Sequence, residues 1–228
     1  GVSFPNKMIF TKLYHGLLAL VFVASLFSIE YLYQQKDFFS FFPLYTMAFL
    51  AMVLLYKSTC SLYFLVGTGL LARVALVFIF PGLSDDIYRF FWDGRLIVSG
   101  ISPYGILPAH ALAKNITYLD KELFDSLNSQ PYFTIYPPVS QLFYAISAST
   151  GDITVTSVVM KLLFLLTEFV GITFLIKLLN KITLPPKLSI LFFLNPLVIM
   201  EGAGYLHFEV IMISFLCISV YYIYNNKL

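Results

Sequence analysis

Charge is scarce in this sequence. Only 11% of its 228 residues are Asp, Glu, Lys or Arg, against 59% hydrophobic, and the mean hydropathy is +0.85. So little polar surface cannot face water all round, so an ordinary soluble domain is excluded. Cysteine is scarcer still, with two residues. Cys60 and Cys217 both lie in or beside apolar runs, which leaves no disulfide framework and no zinc-ligand spacing. No charged leader with a small-residue cleavage site opens the chain, so the first apolar run reads as a retained span. No internal repeat is visible. The formal net charge of +2 carries little information about partners, and nucleic acid is not expected among them.

What the chain does have is apolar runs of spanning length, about 20 residues each. In lipid the backbone must satisfy itself, which favours helices over open strands. The expected fold is all-α: a polytopic transmembrane helical bundle of about six spans. These cover roughly 13–33, 39–56, 62–80, 158–179, a run from about 188 kinked at Asn195-Pro196, and 210–224. Lys7, Lys12, Lys57, Lys177, Lys181, Lys187 and Lys227 then fall on the cytoplasmic side, with both chain ends inside. The whole of 1–228 reads as one domain, truncated at its C-terminal end, with a large outer loop at about 81–156.

Arg73, Lys161 and Glu168 are charged residues within the spans. Arg73 either pairs with a distant acid or lines a polar cavity. Lys161 and Glu168 share a helical face at i, i+7.

The outer loop opens on the most informative stretch, Pro81 to Tyr104, PGLSDDIYRFFWDGRLIVSGISPY. Ser84 can cap a helix, Asp85 and Asp86 suit its first turn, and Gly100 can end it. On that helix Asp85, Tyr88, Arg89, Trp92 and Leu96 share a face, leaving Ile87, Phe90, Phe91 and Val98 for lipid. A bland alternative is an i, i+4 Asp85–Arg89 surface pair worth about 0.3–0.5 kcal/mol. The functional alternative is chemistry on a hydroxyl with a phosphate leaving group: a carboxylate takes the proton and arginine holds the phosphate. A second stretch, NPLVIMEGAGYLHFE at Asn195 to Glu209, puts Glu201, His207 and Glu209 at the same outer boundary. There Gly202 and Gly204 allow close backbone approach, and a histidine can hold phosphate. Tyr136-Pro137-Pro138 begins an apolar run too short to cross, which reads as a helix lying in the interface. His110 reads as a solvent-exposed loop residue.

Taken in order, LSDDIYRFFWDG, SGISPY, IYPPVSQLFY and NPLVIMEGAGYLHFE resemble the C-superfamily (GT-C) of integral membrane glycosyltransferases, and most nearly the polyprenol-phosphate-mannose-dependent mannosyltransferases. The resemblance covers roughly Arg73 to Tyr224. It implies a bacterial inner-membrane enzyme with interfacial helices, an outward-facing site, a polyprenyl-phosphate-linked sugar as donor and a glycan or lipid hydroxyl as acceptor. Carried onto this sequence, Asp85 and Asp86 are the catalytic acids, and Arg89, Arg95, His207 and Glu209 surround the donor phosphate. Tyr88, Trp92, Tyr104 and Tyr136 offer faces to sugar. No cofactor is firmly implied, and a divalent metal is left open. Two spans precede the one entering the acid loop where many members have one, and six spans stand where relatives have eight or more. The rival readings are a secondary transporter or channel, which would also bury charge in its spans, and a noncatalytic scaffold.

Overall fold

The computed structural model describes residues 5–225, with side chains from Ile9 onward, so the Lys7 side chain and Lys227 lie outside the described residues. The described residues are helical, with turns and loops between. Two long helices, α1 (Pro5–Leu32) and α2 (Phe38–Lys57), form an antiparallel hairpin, and α3 (Leu62–Leu76) packs on α1. After the segment that follows α3, α8 (Ile153–Lys181) packs against α3 and the final helix α11 (Glu209–Tyr224). Phe22, Leu26, Leu55, Leu65, Leu76 and Met200 fill the centre of this bundle. Its outside is apolar, with Phe39 and Tyr63 about nine-tenths exposed, which is how a lipid-facing surface looks when water is not the solvent.

Three helical segments, Ile9–Leu32, Gln35–Lys57 and Ile153–Lys181, are long and apolar enough to cross a membrane, and the protein is a membrane protein. A fourth passage is broken: Pro186–Phe193 and Pro196–Gly204 meet at 59°. The remaining two expected spans are shorter. At 15 and 16 residues, α3 and α11 reach about 23 and 24 Å of a hydrocarbon core about 30 Å thick. The sequence carries apolar residues on to Phe80, yet α3 stops at Leu76. The Leu76 carbonyl accepts the Ile79 amide at 3.2 Å in a tighter turn, and the buried Lys161 Nζ caps the Leu76 and Ile79 carbonyls at 3.1 and 2.6 Å.

The break at Asn195-Pro196 has an equally local cause. The Leu197 amide, which a continuous helix would give to Phe193 O, bonds to the Asn195 side chain at 2.9 Å. The freed Phe193 carbonyl accepts from Arg73 Nη1 at 2.9 Å. Arg73 therefore follows the first of its two readings. It is fully buried and bonds Glu168 through Nε and Nη2 at 2.9 and 2.6 Å.

The segment between α3 and α8 is a folded cap. It contains α4 (Asp86–Val98), α5 (Pro108–Leu112), α6 (Lys121–Asp125) and α7 (Pro138–Ser147), and short helices α9 (Ile190–Phe193) and α10 (Pro196–Ile199) follow within the broken passage. Gly94 lets α4 and α7 cross closely, since a methyl group there would sit 2.3 Å from Tyr144 O. The expectation that Ile87, Phe90 and Phe91 face lipid is corrected: all three are buried against protein, because α7 and α8 cover that face. It is α7 that keeps an apolar stripe outward, at Val139, Leu142 and Ile146, while Ser140, Gln141, Tyr144 and Ser147 turn inward. Gly100 ends α4 as expected, at φ +76. His110 is exposed on α5.

The two ends of the bundle differ. Lys187 Nζ bonds Ser58 O at 2.7 Å and joins Lys57 at one end. The Gly82 to Asp86 loop, the 200–209 turn and the start of α11 gather at the other.

Candidate active site

Asp86 is the first residue of α4, and its two oxygens have different work. Oδ1 accepts from Asn128 Nδ2 at 2.8 Å, and Oδ2 lies 3.5 Å from His207 Nε2. Ser84 Oγ is also 3.5 Å from that nitrogen, and it accepts the Asp86 backbone amide at 3.4 Å. The other ring nitrogen of His207, Nδ1, hydrogen-bonds Glu201 Oε2, and the His207 amide donates to Glu201 O at 2.8 Å.

This bridge depends on the local fold. Met200–Gly204 is a π turn, and Leu206 follows in the left-handed region at φ 65, so the chain doubles back and His207 looks at Glu201. Hydrogen bonds to Asp86 and then to Glu201 hold the His207 pKa up at about 10 against the opposing effect of burial. His207 is therefore an imidazolium at neutral pH. The same contact with His207, followed by the Asn128 bond, holds the Asp86 carboxyl below its usual range.

Asp86, Tyr136, His207 and Glu209 open onto one cavity of about 620 Å³. Ile211, Met212 and Phe215 of α11 make another of its walls, with Phe90 and Phe208 also lining it. The cavity is thus polar at one end and apolar along a helix face. Burial, and then the charges of Asp86 and Asp93, push the Tyr136 phenol well above its ordinary pKa, so it stays a neutral donor.

The other expected site residues lie elsewhere. Asp85 is exposed beside Asp86, at the N-cap position, where its side chain makes no capping bond. It makes no pair with Arg89. Instead Arg89 is buried, bonding Asp93 Oδ1 at 2.9 Å and carrying the chain at Ser129 and Tyr132 through their carbonyls, each at 3.1 Å. Arg95 reaches Ala148 O at 3.1 Å and stacks over Tyr118. Both guanidinium groups therefore face protein acceptors rather than the cavity. Trp92 is fully buried in the cap with Leu96, Ala111 and Leu127, so it offers no face to a sugar. The Tyr104 hydroxyl donates to Tyr136 O at 2.9 Å, and Tyr88 lines a separate hollow with Tyr118, Asp120 and Glu122.

Two members of the bridge were missing from the expected site, Glu201 and Asn128. Among the described residues no group of three or more His, Cys, Asp or Glu has a metal-holding arrangement. The reason at this site is geometric: Asp86 and Glu201 approach opposite nitrogens of one ring, which separates the two carboxylates.

The described residues thus form an all-helical membrane fold with a helical cap and a histidine bridge beside an amphipathic cavity. The chain belongs to the MptA_B family, described as alpha-(1->6)-mannopyranosyltransferase, N-terminal domain, which matches residues 39–228. It is a mannosyltransferase-family domain. No curated protein and no solved structure matches the chain.

Proposed function

We propose that this domain transfers mannose from a polyprenyl-phosphate-linked donor to a glycan or lipid hydroxyl, with inversion at the anomeric carbon. The observation that carries this reading is the cavity shared by Asp86, Tyr136, His207 and Glu209, one wall of which is the apolar row Ile211, Met212 and Phe215 of α11. Such a cavity suits a ligand that is a charged sugar phosphate at one end and a hydrocarbon chain at the other. The prenyl chain lies along Ile211, Met212 and Phe215. The phosphate meets the imidazolium of His207, which stabilises the charge that grows on the leaving oxygen.

The acceptor proton goes to Asp85, which does not line the cavity itself but is exposed next to Asp86, which does. Asp86 is committed to His207 and Asn128, whereas Asp85 is exposed at the adjacent position. Asp86 and Glu201 keep His207 charged. The bond that forms joins the acceptor oxygen to the anomeric carbon. The bond that breaks releases polyprenyl phosphate on the opposite face.

In the proposed topology all six apolar passages cross, α3 and α11 by local thinning of the bilayer and the Pro186–Gly204 pair as one bent span. The site then faces outward from a bacterial inner membrane, with Lys57 and Lys187 on the cytoplasmic side. The buried charges that a transporter would use are tied into pairs, Arg73 with Glu168 and Lys161 facing Glu30, which favours the enzyme reading.

The test is transfer of labelled mannose from a synthetic polyprenyl-phosphate donor in proteoliposomes. The expected product has the anomeric configuration opposite to the donor's, and Asp85→Asn abolishes its formation at unchanged abundance. Normal turnover by Asp85→Asn would remove Asp85 as the base, and no transfer by the unaltered protein under any donor would remove the reading altogether.

A further inference from the structure

Beneath the site the bundle holds two buried carboxylates that the transfer step does not use. Glu168 receives both of its Arg73 bonds on one oxygen, Oε2, and leaves Oε1 buried with no hydrogen-bond partner among the described residues. Glu30 lies 3.9 Å from Lys161 Nζ, and neither of its oxygens completes a hydrogen bond, although the Gly82 amide faces it. Leaving a buried carboxylate oxygen unpartnered is costly, and a pair selected for stability alone would satisfy both oxygens.

What these oxygens do meet is the π turn. A methyl group at Gly202 would stand 3.1 Å from Glu168 Oε1, and one at Gly204 would stand 3.3 Å from Glu30 Oε2. The two acids thus form a floor under Met200–Gly204, the turn that carries Glu201 and delivers His207. Glu30 also touches the other half of the site, because Gly82 lies two residues before Ser84.

We infer that Glu30 and Glu168 are positioning residues for the transfer reaction: pressed against Gly204 and Gly202, and neutralised by Lys161 and Arg73, they set the height of the turn that holds His207 against Asp86. This inference rests on the proposed function for its consequence in turnover, but its geometry can be read without substrate. The groups facing His207 are Asp86 from α4, Ser84 from the loop before it, and Glu201 and Tyr205 from its own turn, with Glu209 in the same cavity.

The experiment follows the His207 ring by NMR in nanodiscs, assigned by difference against His207→Gln, alongside donor kinetics. Gly204→Ala pushes the turn off Glu30. It is expected to lower the His207 titration midpoint by about one pH unit and turnover about 100-fold, with donor KM nearly unchanged. Adding Glu30→Asp, which shortens the acid by one methylene and keeps its charge beside Lys161, is expected to restore both. Glu30→Asp alone, the mildest change, is expected to lower the midpoint too. An unmoved midpoint in Gly204→Ala and in Glu30→Asp overturns the inference, as does loss of turnover that Glu30→Asp fails to rescue in the Gly204→Ala background. A moved and rescued midpoint in a protein that transfers no mannose would uphold the positioning and sink only the proposed function.

Discussion

Glu201 and His207 are joined twice, once through the His207 amide and the Glu201 carbonyl at 2.8 Å and once through their side chains. Six residues apart on a regular helix they would point in different directions. The π turn and the left-handed Leu206 bring them together, so the charge state of the site depends on the backbone path between Met200 and His207.

Removing the charge at Asp86 takes away the larger support for the His207 proton. Asp86→Asn is expected to lower mannose transfer by about 10²–10³-fold, the range lost when one group that stabilises the leaving oxygen's charge is disabled. Its protein abundance should stay normal, because the asparagine still meets Asn128. Transfer assays in membranes beside quantitative immunoblots check this.

The pH dependence of stability has a definite sign. The folded pKa of His207, about 10, is above the model-peptide value of 6.5, so the bridge stabilises the fold fully below about pH 6.5. That contribution declines as pH rises and is gone once it passes about 10. Thermal midpoints in detergent, taken for the unaltered protein and for His207→Gln, should differ most near pH 6 and converge above pH 10.

Arg89 is expected to act through folding. It is 2% exposed, and its loss would leave Asp93 buried with only Gln141 as a partner. Arg89→Ala should cost about 3–5 kcal/mol. Replacing Arg89 and Asp93 together by apolar residues of similar size should recover most of that. Chemical unfolding of the single and double variants decides it. A variant at Arg89 that folds normally but fails to bind donor would instead return this residue to the phosphate site.

Gly94 marks where α4 and α7 touch. A methyl group there meets Tyr144 O at 2.3 Å and Ala148 Cβ at 2.7 Å. Gly94→Ala should therefore destabilise the cap by about 1–3 kcal/mol, visible as earlier proteolysis between α4 and α7.

Much of the architecture could be read from residue patterns, because the apolar runs, the lysines between them and the glycine after α4 each act locally. Asp86, Tyr136, His207 and Glu209 could be placed at one boundary for the same reason. The burial of Arg89, Arg95 and Trp92 could not be read locally, since, Asp93 apart, the two arginines bond carbonyls 22 to 53 residues away, and an α4 face reads the same whether a second helix or lipid covers it. Glu201 was placed at the same boundary as His207, but its side-chain contact with the ring depends on a backbone path, the π turn, that sequence spacing does not give. Arg73 with Glu168 spans 95 residues, a pairing no local signal announces.

Trp92 is the single tryptophan of the chain, and it sits fully enclosed in the cap, away from the bundle core. Its fluorescence emission therefore reports on one region only. Loosening of the α4 layer can be watched as a red shift while circular dichroism follows the long helices, so the order in which the two parts come undone can be timed without attaching a dye.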